Sequence, residues 1–156
     1  MPNSTATNVR GLLRGHGDLL PLIALGGAIG SLARWALSSA VPHSAAEFPL
    51  ATFVINASGA LLIGLLMSFM AGPWSRTRYV RPFLGVGVLG GYTTFSTYEL
   101  DTRGLLAAGA PVTAMVYLVG SILAGLLAVW AGIIAGRLVI STAARRRGHE
   151  IAPTED

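Results

Sequence analysis

Four apolar runs, each long enough to cross a lipid bilayer as a helix, limit this chain more than any other feature. They are Leu19–Val41, Pro49–Met70, Val80–Leu106 and Pro111–Ile140. Roughly 20 apolar residues in helical form span the hydrocarbon core, so each run supplies one crossing. Only 12% of the 156 residues are charged and 53% are hydrophobic, whereas a water-soluble domain uses about a quarter charged residues to cover its surface. The same numbers exclude disorder for most of the chain, because segments that stay unfolded are polar or strongly charged. The expected fold class is therefore an all-α polytopic membrane protein with four transmembrane helices. Pro42-His43-Ser44, Gly72-Pro73-Trp74 and the pair Gly104 and Gly109 punctuate the runs, and such short connections make consecutive helices antiparallel neighbours. The organisation expected is a polar N-terminal tail over 1–18, a transmembrane domain over 19–140 and an arginine-rich, loosely ordered tail over 141–156, with no second domain.

The formal net charge is +4, and all 11 basic residues are arginine. Most of them flank the apolar runs instead of forming one stripe, which points to membrane topology and away from nucleic acid. With the N-terminus inside, the inner segments carry Arg10 and Arg14, then Arg76, Arg78 and Arg81, then Arg145, Arg146 and Arg147, against Arg103 alone in the outer loops. The bias predicts both termini in the cytoplasm and a multi-pass protein of the inner (plasma) membrane. Arg10 and Arg14 ahead of an apolar run, with Ser39-Ala40-Val41 after it, resemble a secretory signal. Arg34 interrupts that run, so the first span is expected to be retained. The chain has no cysteine, hence no disulfide and no thiolate metal site.

The apolar pattern fails inside the third run, at Gly90-Gly91-Tyr92-Thr93-Thr94-Phe95-Ser96-Thr97-Tyr98-Glu99-Leu100-Asp101. Paired glycines weaken helix continuation, and the clustered hydroxyls offer the backbone other partners. Non-helical backbone at membrane depth survives only where protein or a watery cavity satisfies it. A helix break near Gly90–Thr94, shielded from lipid and beside a pore or site, follows. Its freed carbonyls suit a cation and its hydroxyls and amides an anion, so the segment alone leaves the sign of the ion open.

Phe95 and Tyr98 share a face of whatever helix resumes, either as packing or with positive ring edges turned to a small anion. Asn56, inside the second span, either bonds between helices or lines a cavity. Tyr117 and Ser121, four apart on the last span, either continue a polar track or each bond between helices. Arg34 reads as an end-of-helix anchor, with Glu99 and Asp101 as candidate partners. Small residues four apart, Gly26/Gly30, Ala60/Gly64, Ser121/Gly125 and Gly132/Gly136, predict close helix packing. A small multidrug exporter would need an acidic residue deep in the first helix, and Leu22–Trp35 has none. An embedded enzyme would need convergent His, Asp or Glu, yet His16, His43 and His149 fall in tails or loops. A purely structural packing protein leaves the Gly90–Tyr98 block unexplained.

Three blocks, Gly26-Gly27-Ala28-Ile29-Gly30-Ser31-Leu32-Ala33-Arg34-Trp35, Thr52-Phe53-Val54-Ile55-Asn56-Ala57-Ser58-Gly59 and Gly90 to Tyr98, together resemble the signature blocks of the Fluc/CrcB fluoride channel family, over about Leu22 to Gly136. The resemblance implies a small four-helix protein acting as an antiparallel dimer, inserted in both orientations, with two pores that passively export fluoride. It implies a structural sodium ion at the dimer centre, held by the carbonyls of Gly90 and Thr93. It further implies pore-facing Phe95 and Tyr98, a pore asparagine Asn56, and a polar track of Ser96, Thr97, Tyr117 and Ser121, with Asp101 matching an acidic residue after the motif. Tyr98 departs from the family's usual phenylalanine, Glu99 from a small polar residue, and Gly125 falls where some members continue the hydroxyl track.

Fluoride is small and tightly hydrated, so a narrow dry path has to replace its water with closely spaced donors. Asn56→Ala and Phe95→Ala are accordingly expected to lower flux while sparing insertion, and Gly90→Val to crowd the break. The lopsided arginines sit badly with an antiparallel homodimer, which leaves a heterodimer with an oppositely oriented homologue as the alternative to a homodimer.

Overall fold

The computed structural model describes residues 17–150, with side chains through Arg145. Helix α1 (Leu19–Ala40) and helix α2 (Leu50–Ala71) are the first two apolar runs. A π-helical segment, Arg81–Leu89, passes into a single turn, α3 (Gly90–Tyr92), and the chain resumes as α4 (Ser96–Ala107) before the long α5 (Pro111–Glu150). All regular structure among the described residues is helical. Three helices, Leu19–Ala40, Leu50–Ala71 and the Pro111–Arg145 part of α5, are long and apolar enough to cross a membrane whole. The third apolar run is divided, as its glycines and hydroxyls predict.

Each end has a local cause. Proline at residue 42 cannot continue α1. Gly109, at φ +74°, ends α4. The amides of Ala108, Gly109 and Ala110 turn back to the carbonyls of Gly104, Leu106 and Leu105, which is the left-handed glycine stop of a helix C-terminus. Pro111 then opens α5 at a position where a missing amide hydrogen costs nothing. Asp18 precedes α1 without capping it, because its carboxylate accepts from Arg78 Nη2 at 3.1 Å and from Tyr79 Oη at 2.9 Å. The start of α1 is thereby fastened to the loop after α2.

One boundary is corrected. The apolar run ends at Ile140, but α5 continues as helix through Glu150 where a loose tail is expected. Ala143, Ala144 and the arginines after them are strong helix formers, and the next proline comes only at residue 153. Residues 1–16 and 151–156, and with them Arg10 and Arg14, lie outside the described residues.

Glycine lets the backbones touch. A Cβ on Gly26 would lie 2.6 Å from the Phe83 carbonyl, and one on Gly91 would lie 2.5 Å from the Gly27 carbonyl. Gly30 meets the Val88 carbonyl more closely still. Helix α1 therefore lies directly on the π-helical segment. A second pair, α2 on α5, is held the same way, with Gly64 on the Val129 carbonyl, Gly132 on the Leu61 carbonyl and Ser68 Oγ donating to Ile133 O at 3.0 Å. Gly125 faces open space, so the Ser121/Gly125 pair makes no close approach.

The buried centre is small: Leu105, Ala114 and Tyr117, with Phe48, Phe53 and Tyr98 packed on it. Only 6% of the apolar window of α5 is buried. Most of this helix is thus left to lipid or to another chain.

A polar groove at the helix break

The interruption spans Thr93 to Phe95 and is stabilised residue by residue. Thr93 still donates back to Leu89 O, from its amide at 3.0 Å and its hydroxyl at 2.9 Å. The chain then turns extended, with Thr93 at ψ 156°. Thr94 is buried, and its freed backbone needs partners. Asn56 of α2 supplies both: its Nδ2 donates to Thr94 O at 2.8 Å, and its Oδ1 accepts from Thr94 N at 2.9 Å. Thr94 Oγ1 accepts from Thr97 N at 3.1 Å, the bond an N-cap hydroxyl makes to a new helix.

Other freed groups find no such partner. Thr94 N, the normal donor to the Gly90 carbonyl, is taken by Asn56. Among the described residues no donor outside the regular helices reaches the carbonyls of Gly90 or Thr93. Hard cations bind sets of about six or more oxygens. Two unpaired carbonyls fit part of such a set, and completing it needs oxygens from elsewhere, such as a second copy.

Beside the break lies an open groove of about 390 Å³, bounded by Asn56, Ala60, Ile63, Thr93, Thr94, Phe95, Tyr98, Ser121 and Ile122. No charged side chain borders it. Asn56 spends one amide hydrogen on Thr94, leaving the second at the groove wall. Ser121 Oγ is buried without a hydrogen-bond partner, a state that costs about 1–3 kcal/mol unless something else supplies a partner. Phe95 is 77% exposed and its ring centroid lies 5.8 Å from that of Tyr98. The Tyr98 hydroxyl donates to Leu118 O at 2.8 Å. The extra oxygen relative to phenylalanine is thus bound to α5 backbone and kept off the groove.

The expected site residues are brought together in part. Asn56, Thr93, Phe95, Tyr98 and Ser121 meet at the groove; Ser96, Thr97, Tyr117 and Gly90 do not line it. Ser96 is exposed on the first turn of α4, with Oγ 3.3 Å from Thr94 Oγ1. Thr97 Oγ1 accepts from Thr94 Oγ1 at 3.0 Å, so this hydroxyl pair serves the break. Tyr117 is fully buried behind Tyr98, ring centroids 5.3 Å apart. Neither candidate partner reaches Arg34: Glu99 binds Arg103 Nε at 2.7 Å, and Asp101 faces Thr52, Tyr117 and His43. The role of Asn56 as backbone clamp went unread in the sequence. An amide four residues after the buried Thr52 in α2 carries no local signal of which distant peptide it bonds.

An all-helical membrane protein with glycine-packed helices and one helical run interrupted around an uncharged polar groove has the architecture of a channel or passive carrier. The chain belongs to the CrcB family, described as "CrcB-like protein, Camphor Resistance (CrcB)", whose pattern matches residues 21–133. It is 43% identical over 127 residues to "Fluoride-specific ion channel FluC 3" of Streptomyces avermitilis, covering 81% of this chain and 62% of that relative. The chain thus spans less than two thirds of that relative's length. It is 45% identical over 127 residues to "Fluoride-specific ion channel FluC 2" of Nocardia farcinica, covering 81% of this chain and 91% of the relative. With "Fluoride-specific ion channel FluC" of Paracoccus denitrificans it shares 42% identity over 115 residues, 74% of this chain and 91% of the relative.

Proposed function

We propose that this chain is a subunit of a fluoride-selective channel that lets fluoride leave the cytoplasm down its gradient. The observation that carries the proposal is the groove at the break. Its wall offers the spare Asn56 amide hydrogen, the orphaned Ser121 hydroxyl and the aromatic edges of Phe95 and Tyr98, without one charged group. Moving a small anion into hydrocarbon is prohibitive unless donors replace its water. A fixed arginine in the path would hold the ion, whereas neutral donors let it leave as readily as it enters. Fluoride is the halide that gains most from close donors, being the smallest.

The groove is open on one side, and a second copy facing it in the opposite sense would cover it. In that assembly a sodium ion would be held by the carbonyls of Gly90 and Thr93 from both chains, supplying fixed positive charge near the anion path. The chain's own part is to keep those carbonyls unpaired: Asn56 claims the Thr94 amide that would reach Gly90 O, and Thr94 Oγ1 claims the Thr97 amide that would reach Thr93 O. The four crossings carry both termini to the cytoplasm of the plasma membrane, with Arg34 anchoring the outer end of α1. The second subunit is either an identical chain or an oppositely biased homologue.

The test is fluoride efflux from proteoliposomes holding the full chain, alone and with a homologous partner where one exists. Flux that falls with Phe95→Ala and discriminates against chloride supports the proposal. Correctly inserted protein that passes no fluoride in either preparation refutes it.

A further inference from the structure

Helices α2, α4 and α5 and the loop between α1 and α2 converge on one carboxylate away from the groove. Asp101 Oδ2 accepts from Thr52 Oγ1 at 2.7 Å and from Tyr117 Oη at 3.3 Å. Its Oδ1 faces His43 Nε2 at 3.8 Å, with the Asp101 side chain 13% exposed and that of His43 29% exposed. Tyr117 stacks behind Tyr98, which borders the groove. The carboxylate thus stands one ring behind the groove wall, at the end of the bundle that carries the α1–α2 loop.

Both hydroxyls converge on the same carboxylate oxygen. A negative charge there opposes an anion passing the same end of the bundle. The neighbouring charges are otherwise engaged or distant. Glu99 is held by Arg103 on α4, Glu47 accepts the Ser44 amide at 2.9 Å in the loop, and Arg34 of α1 makes no ion pair among the described residues. Glu47 also senses His43 electrostatically, which adds a second negative group on the imidazole's side. Among the described residues His43 is the side chain that faces Oδ1, and an imidazole is the side-chain type that changes charge nearest neutral pH.

We propose that His43 is a positioning residue whose protonation governs the Asp101 carboxylate and, through it, anion passage at this end of the channel. Taking a proton from water, the imidazole becomes an imidazolium that closes on Oδ1 and offsets the carboxylate's charge; neutral, it leaves that charge uncompensated behind the groove wall. Fluoride flux therefore rises as the side bearing the α1–α2 loop is acidified. The inference rests on the fluoride-channel proposal, and two readouts separate them.

The first readout is the valinomycin-dependent fluoride flux of the full chain in proteoliposomes, with equal pH on both sides so that insertion orientation drops out. Counting only the valinomycin-dependent part excludes electroneutral hydrogen fluoride. The wild type is expected to run several-fold faster at pH 5.5 than at pH 8, and His43→Gln to stay flat near the wild-type pH 8 rate. The second readout is the NMR spectrum of the His43 ring at pH 5.5, assigned by its loss in His43→Gln and compared with Asp101→Asn. Removing the carboxylate 3.8 Å away is expected to shift the ring resonances. A wild-type pH ratio that survives in His43→Gln overturns the inference, as do ring resonances unmoved by Asp101→Asn. Resonances that move in a chain passing no fluoride sustain the pairing and refute the channel proposal instead.

Discussion

Asn56→Ala is the substitution whose consequence the structure sharpens most. From the sequence it is expected to lower flux and spare insertion. The geometry makes it structural as well, because both amide atoms of Asn56 are committed to the Thr94 backbone at 2.8 and 2.9 Å. Thr94 is only 7% exposed, so truncation leaves a buried N–H and a buried C=O unpaired. Each such group costs about 1–3 kcal/mol, giving roughly 2–6 kcal/mol for the pair, with the lower figure applying where water from the open groove takes over one bond. A released Thr94 amide is also free to donate to the Gly90 carbonyl and to close the break into continuous helix. Hydrogen exchange in detergent, followed on a peptide covering residues 90–98, reads this directly. A loss of about 2 kcal/mol corresponds to roughly 30-fold faster exchange at Thr94. Asn56→Asp keeps the acceptor for Thr94 N but sets a second acceptor oxygen against Thr94 O, so it should lose at least as much as Asn56→Ala. Wild-type exchange in Asn56→Ala would mean that the clamp does not hold the break open.

Removing the unpartnered hydroxyl with Ser121→Ala should leave thermal stability unchanged or raise it by about 1 kcal/mol, since no bond is lost, while fluoride flux falls; a stability loss would reveal a partner for that oxygen. Gly30→Ala and Gly91→Ala should each destabilise the α1 contact by about 1–3 kcal/mol or more through overpacking, whereas Gly125→Ala, facing open space, should unfold like the wild type in a detergent melt. A Cβ on Gly90 meets nothing among the described residues closer than the Gly85 carbonyl at 3.9 Å, so Gly90→Ala should melt like the wild type, and the impaired assembly expected of Gly90→Val has to come from its branched γ-carbons.

What could be read from the chain divides along physical lines. Hydropathy marked the spans because lipid acts as a uniform solvent on whole segments, and the placing of α1, α2 and α5 followed from apolar length alone. The break was legible because Gly90-Gly91 and the hydroxyls after it violate that uniformity within a few residues. What stayed hidden depends on register between distant segments. The face that Tyr117 turns to its neighbours is set by α5 packing on α2 through Gly64 and Gly132, so its place in the core instead of along the groove has no local signature. The bonding of Asp101 to Thr52 and His43 joins residues far apart in sequence, and acidic type alone offered Arg34 as an equally good mate. The π-helical turns of Arg81–Leu89 likewise answer to the glycine contact with α1.

The arginine asymmetry, a count in the sequence, becomes a spatial fact in the fold. Asp18 binds Arg78 and Tyr79, and Gly72 lies against Ile140 of α5, 3.5 Å from Cδ1 to a Cβ built there. These contacts gather Arg76, Arg78, Arg81, Arg137 and Arg145 toward one end of the bundle. At the other, Arg103 is paired with Glu99 at 2.7 Å. At about 1 kcal/mol per arginine beside an anionic inner leaflet, five of them set against Arg34, unpaired among the described residues, at the other end favour one orientation by roughly 4 kcal/mol, less whatever Asp18 offsets. An identical chain inverted beside it would give up that energy, which favours an oppositely biased partner for an antiparallel assembly. The absence of cysteine makes the question clean to test. Ser44→Cys, in the α1–α2 loop, and Ser75→Cys, in the loop after α2, are labelled separately with a membrane-impermeant maleimide on whole cells. Ser44→Cys should react from outside and Ser75→Cys only after lysis. Equal reaction of both on intact cells would show that the chain inserts in either sense, and would remove the reason to invoke a different second subunit.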